Sequence, residues 1–217
     1  MRLYIYCEGQ TEERFIKNVL APYLSEIAIY ALPIICTTSR TQTKKYKGGV
    51  SNYLKIRREL LGLCKEHKNE KITTMFDYYG MPSDTPGVEN ASGTLYERVS
   101  QIEKAVEADI NMPNLFFSLI VHEFEGLLFA DTSVFQAITS NEVVKQLEDI
   151  RDEFVSPEHI NNSTETAPSK RILTLIPDYS KVLDGTSLSK QIGINAMLAE
   201  CEHFNKWVQK IRAIRSK

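Results

Sequence analysis

The chain carries almost no excess of one charge. Its 28 acidic and 26 basic residues leave a formal net charge of −2, so bulk electrostatics give no reason to expect a nucleic-acid partner, and only local clusters could supply one. C-x-x-C pairs are absent. The four cysteines, Cys7, Cys36, Cys64 and Cys201, lie far apart; Cys7 and Cys36 fall in apolar runs and read as small buried residues of a reducing compartment. His67, His159 and His203 show no metal-ligand spacing. A phosphate-cradling glycine motif such as G-x-x-x-x-G-K-S is also missing, which argues against small-nucleotide processing. No apolar run approaches membrane-spanning length. The first one is too short for a signal peptide and runs straight into charge, so the expected location is cytoplasmic. At 217 residues the chain is long enough for one sizeable core with decoration, or for two small domains.

What is present is organised around the first fourteen residues, MRLYIYCEGQTEER. Leu3 to Cys7 is a short apolar run closed by a glycine and predicts a buried strand. Thr11, followed by Glu12 and Glu13, predicts a helix start. The hydroxyl would cap free N–H groups and the acids would face the positive end of the dipole. Glu8 then falls at the carboxyl edge of a sheet, where open α/β folds place ligands. A carboxylate there is costly without a partner. It either accepts hydrogen bonds from the next helix turn, or it binds a metal or moves a proton.

Further on, 29–36 predicts a second strand, with Pro33 marking an edge position or a bulge. The segment 40–49 is aperiodic, and Arg40 to Arg58 holds seven cations and no acid. That basic run is either a solvated face or a phosphate-seeking loop, with Lys44, Lys45 and Lys47 as the cations that would meet nucleic acid. Helical spacing covers 50–67, with Tyr53, Leu54, Ile56, Leu60, Leu61 and Leu63 on a wide apolar face. A third strand spans 71–76 with Asp77 at its end, followed by a long turn-rich loop, a helix over 94–110 and a strongly apolar strand over 114–121. The order βαβαβαβ predicts a parallel sheet covered by helices.

His122-Glu123-Phe124-Glu125 follows that last strand directly. If 122–125 stays extended, both glutamates point to one side. Two carboxylates there repel unless a cation lies between them or one stays protonated. The alternative is that they cap and solvate the next helix. Past Asp131 the chain becomes mainly helical, so the expected division is an α/β core over 1–130 and a helical subdomain over 131–217 packed on it. Near Pro168 a helix begins, with Ser169 as cap or first-turn residue. Lys170 and Arg171 run against its dipole unless an acid or a bound phosphate answers them. A turn, Pro177-Asp178-Tyr179-Ser180-Lys181, separates this helix from two more, in which Trp207 and Ile211 are expected to pack.

EGQTEERF, FDYYGMP, HEFEGLLFAD, INNSTETAPSKRI, PDYSKVLDG and CEHFNKW occur in this order. Together they resemble a bacterial Toprim-like family often associated with AAA-type ATPases in phage defence. The likeness covers nearly the whole chain. It implies a Toprim-like parallel sheet and a helical C-terminal part. Glu8 would stand for the strand-ending glutamate that acts as general acid/base, and Asp77 for the first aspartate of the metal-binding pair. Gln10 and Thr11, in the same EGQTE motif, are the substrate-binding candidates beside Glu8. At the second aspartate position stands Tyr79, so either Glu123 or Glu125 takes over its role or the site no longer cuts.

The expectation is therefore a Mg²⁺- or Mn²⁺-dependent nuclease. Glu8, Asp77, Glu123 and Glu125 would hold the metal, since Mg²⁺ suits one or two carboxylates plus substrate phosphate, and Lys170, Arg171, Lys44 and Lys45 would hold a DNA or RNA backbone. The competing expectation is a non-catalytic module that binds an AAA-type ATPase or nucleic acid. A homo-oligomer is compatible with either.

Overall fold

The computed structural model describes residues 1–36, 52–161 and 165–214. Lys44, Lys45 and Lys47, and the beginning of the helix expected over 50–67, lie outside the described residues. Strands β1 (Arg2–Cys7), β2 (Tyr30–Ile35), β3 (Lys71–Asp77), β4 (Leu115–Phe116) and β5 (Leu119–Ile120) form a five-stranded parallel sheet. The order is β2-β1-β3, with β4 and β5 both paired to β3. Helices α1 (Gln10–Phe15), α2 (Ala21–Ser25), α3 (Tyr53–Glu66) and α4 (Leu95–Ile110) connect the strands. Helices α5 (Asn141–Asp152), α6 (Pro168–Leu175), α7 (Asp184–Glu200) and α8 (Glu202–Ala213) make the C-terminal part mainly helical. The fold is thus α/β, a parallel sheet flanked by helices.

Alternation along β1 explains how both faces come to be covered. Leu3, Ile5 and Cys7 join a core with Phe15, Leu188, Phe204 and Trp207. Tyr6 belongs to the opposite core with Ile56, Phe76, Val99 and Val106. A strand buried on both sides has no polar face to show, hence the unbroken apolar run in the sequence. β2 is an edge strand, which is where Pro33 costs no ladder hydrogen bond.

Three local expectations are corrected. First, Thr11 does not cap α1: Gly9 is the N-cap, and the Glu12 carboxylate reaches back to accept its N–H at 2.9 Å. From there the helix runs through a π turn (Ile16–Leu20) into α2. Second, the strand expected over 114–121 is broken at Phe117 and Ser118, because side chains take the ladder's place. The Thr74 hydroxyl accepts from Ser118 N at 2.8 Å and donates to Ser118 O at 2.7 Å. Third, Leu54 is exposed, and α3 buries the narrower stripe Tyr53, Ile56, Leu60 and Cys64.

Two buried polar contacts fasten the C-terminal helices to the sheet. Trp207 Nε1 donates to Thr73 Oγ1 at 2.9 Å. The Glu158 carboxylate accepts from His203 N and Phe204 N in the first turn of α8, and from the Tyr96 hydroxyl of α4. All four cysteines are buried, and none forms a disulfide among the described residues. Among the described residues, no helix is long and apolar enough to cross a membrane.

A close approach at the start of α7 gives a packing test. A Cβ on Gly185 would meet the Tyr179 hydroxyl at 2.8 Å, and that hydroxyl is buried without a partner. Gly185→Ala should cost about 1–3 kcal/mol through overpacking. Most of that loss should be recovered in Tyr179→Phe/Gly185→Ala, measured by denaturant unfolding.

Candidate functional site

Strand register brings the first two acids together. Cys7 pairs with Met75, so Glu8 and Asp77, one and two residues further on, stand at the same carboxyl rim, Asp77 as the last residue of β3. Gly80 confirms their closeness: a Cβ there would lie 3.5 Å from Glu8 Oε2 and 3.9 Å from Asp77 Cβ. The Glu8 carboxyl is raised above its ordinary range, chiefly by burial, against a hydrogen bond from the Asp77 backbone and the pull of Lys181.

The second pair arrives by an unexpected route. Segment 122–125 is not extended. His122 takes a left-handed backbone (φ 62°), and a 3-10 helix over Phe124–Ala130 starts immediately after Glu123. A left-handed histidine is uncommon and costs roughly 1–3 kcal/mol; the surroundings hold it in place. Tyr79 N donates to His122 O at 2.9 Å, and Phe124 N donates to Asp77 Oδ1 at 3.0 Å. This turn aims both glutamates at one ammonium: Lys181 Nζ lies 3.1 Å from Glu125 Oε2 and 3.6 Å from Glu123 Oε2. Burial pushes the His122 ring down to about 4, so at neutral pH it adds no charge to the rim.

Glu123 also ends the search for a partner at the N-terminus of α6. It accepts from Ser169 N and from Ser169 Oγ, the latter at 3.0 Å. An acidic side chain, rather than a phosphate, therefore answers that helix end. Arg171 Nε donates to Thr166 O at 2.9 Å and its guanidinium covers the Phe154 ring; Lys170 is exposed. Gln10 is the exposed first residue of α1, and Thr11 is buried near Gly185. Tyr79 is 44% exposed.

Three participants escaped the sequence reading. Glu12, expected only to meet a dipole, is buried and raised to about 7, first by burial and then partly by Glu8. Lys181 lies in a turn, and no spacing rule ties it to a glutamate 56 positions earlier. The Tyr179 hydroxyl lies in the field of Glu125 and Glu123. The PDYSKVLDG turn was a visible motif, but nothing in it pointed to this rim.

Charge at the rim is therefore crowded. Asp77 is held well above the usual carboxylate range by burial, then by Glu12, Glu8, Glu125 and Glu123 in that order. Glu125, 1% exposed, is pushed up to about 7 by burial against the pull of Lys181. Among the described residues, no three His, Cys, Asp or Glu side chains already form a metal cage. The donor set nonetheless suits a hard divalent cation. Its ligands are carboxylates, they face the Lys181 ammonium in excess, and Glu125 Oε1 is buried with no hydrogen-bond partner. Glu8, Asp77, Glu123 and Glu125 are the residues that would hold such an ion.

Fold and site together define an α/β protein that gathers its ionisable groups where the parallel strands end, the position at which such sheets place ligands. The chain belongs to the family described as a domain of unknown function (DUF4276), whose model matches residues 7–212 and so takes in every rim residue named above. No curated protein and no solved structure matches the chain.

The raised acids set a pH dependence. Glu12 and Glu125 titrate near 7 in the folded protein, against about 4.3 for an ordinary glutamate. Between those values the folded state holds more protons than the unfolded one, so stability falls as pH rises through that window. Without divalent ions, unfolding midpoints should be higher near pH 5 than near pH 8. Glu125→Gln should flatten that slope.

Proposed function

We propose that the protein is a Mg²⁺- or Mn²⁺-dependent phosphodiesterase of Toprim type. It would cleave DNA or RNA in the cytoplasm, in phage defence alongside an AAA-type ATPase. The observation that carries this reading is the meeting of Glu8, Asp77 and the Glu123/Glu125 pair, from three separate segments, at one rim where carboxyl groups outnumber the Lys181 ammonium. The resemblance of EGQTE and FDYYGMP to Toprim motifs adds to it.

A divalent ion at this rim would supply Lewis-acid stabilisation of charge developing on a phosphate oxygen. The chain's own residues divide the remaining work. Asp77, Glu123 and Glu125, with Glu8 beside them, would hold the ion. Glu8, whose carboxyl is raised above its ordinary range chiefly by burial, moves the proton at the attacking or leaving oxygen. Gly80 lies beside this carboxyl, where an added Cβ would come within 3.5 Å of Glu8 Oε2. Exposed Lys170 is available to a phosphate backbone, an interaction that positions nucleic acid without reading its sequence.

A second reading has its own support. Tyr79 replaces the second aspartate, and Lys181 already neutralises part of the rim. A Toprim-like module that binds an ATPase or nucleic acid without cutting fits those two facts. It requires no tight metal binding, and Mn²⁺ uptake that disappears in Asp77→Asn would count against it.

The decisive assay is cleavage of single- and double-stranded DNA and RNA with Mg²⁺ or Mn²⁺. Glu8→Gln should lower the rate by about 10²–10⁴-fold, the usual contribution of a positioned acid/base. Cleavage by Glu8→Gln at the wild-type rate would remove the catalytic reading.

A further inference from the structure

Lys181 stands where a rim cation would stand. Its ammonium lies 3.1 Å from Glu125 Oε2 and 3.6 Å from Glu123 Oε2. It comes from the turn between α6 and α7, outside the sheet that supplies the neighbouring acids Glu8 and Asp77. The two partners differ sharply in exposure. The Glu125 side chain is 2% exposed, whereas that of Lys181 is 44% exposed. A half-exposed lysine on a flexible four-carbon stem can swing to solvent without unpacking the core, while the glutamates cannot follow it.

Two further observations show that the ammonium leaves the corner incompletely satisfied. Glu125 Oε1 is buried with no hydrogen-bond partner. The hydroxyl of Tyr179, a residue 6% exposed, is buried without a partner and feels the charge of the same two glutamates. An ammonium has three donors and one unit of charge. A divalent ion offers two units and a shorter approach to oxygen.

We propose that Lys181 is the resident counter-cation of the rim: it occupies Glu123 and Glu125 until a divalent ion displaces it, and so sets the protein's metal affinity. This rests on the reading of the rim as a divalent-cation site and adds its regulation. Binding is an exchange in which Lys181 leaves the glutamate oxygens as the metal arrives. The metal-free rim is thereby kept from repelling itself apart, and metal loading is opposed by a charge of the same sign.

The test compares wild type with Lys181→Met, Lys181→Gln and Lys181→Arg. Mn²⁺ binding is read by calorimetry near neutral pH, and thermal unfolding is followed with and without Mn²⁺. Lys181→Gln removes the charge but keeps a hydrogen-bond donor for Glu125, so it serves should Lys181→Met not fold. The charge-removing variants should bind Mn²⁺ about tenfold tighter or more, as expected when a unit charge a few ångströms away is removed. They should melt lower than wild type without metal and regain stability with it, whereas Lys181→Arg should bind no tighter than wild type. Equal or weaker Mn²⁺ binding by the charge-removing variants would overturn the competition and leave the metal site standing. No Mn²⁺ uptake by any of the four proteins would overturn the competition and the metal reading together.

Discussion

Repulsion among carboxyl groups held out of water is the constraint from which the rest of this structure follows. Glu8, Glu12, Asp77, Glu123 and Glu125 share the carboxyl rim of one sheet, and burial raises four of them above their ordinary range. Gathering like charges in a poorly solvated place works against folding. The protein answers with peptide N–H groups (Gly9 to Glu12, Phe124 to Asp77, Ser169 to Glu123) and with the Lys181 ammonium. Such an arrangement is hard to explain as surface decoration, because a solvated acid needs none of these partners. Perturbed titrating groups gathered in one place are a mark of functional sites.

The compensation also explains the architecture. Each answering group comes from a different part of the chain, so the rim is complete only when the C-terminal helices are docked. The first turn of α6 receives Glu123, the turn before α7 delivers Lys181, and Gly185 lets α7 lie close to Tyr179, Phe124 and Thr11. The left-handed backbone at His122 is the joint that makes this geometry reachable. Without it the chain would continue straight off the sheet and the two glutamates would not turn towards Lys181. Strain at one residue is thus held by hydrogen bonds at its neighbours Tyr79 and Phe124.

Much of this was legible in the sequence, and what was hidden was hidden for physical reasons. Strand runs, the edge position of Pro33 and the placement of Glu8 and Asp77 follow from local periodicity and turn residues, which is information carried by neighbours in the chain. The helix over 94–110 is similarly local, and the structure adds that Thr94 caps it with Glu97 three residues on. Most of the failures involve partners distant in sequence. Thr74 and Ser118 interrupt a run that reads as one continuous strand, through a contact 44 positions long. Glu12 looked like a dipole residue because its burial depends on the far side of the fold. Lys181 was unreadable for the same reason, since a lone lysine in a turn says nothing about which acid it will meet. Segment 122–125 misled because alternation was assumed where one left-handed residue resets the direction.

The interrupted strand has a wider meaning. Along the outer side of β4 and β5, Phe117 N and Leu119 N donate to Glu107 and Glu103, two side chains reaching across from α4. An open margin of a sheet normally offers such groups to any passing extended peptide. Here they are spoken for from within the same molecule, and by negative charges that would repel an incoming carbonyl row. Lateral growth of the sheet is blocked on that flank, so fibre-like stacking through it is disfavoured, and any assembly of copies has to be built from helices or from the opposite border at β2.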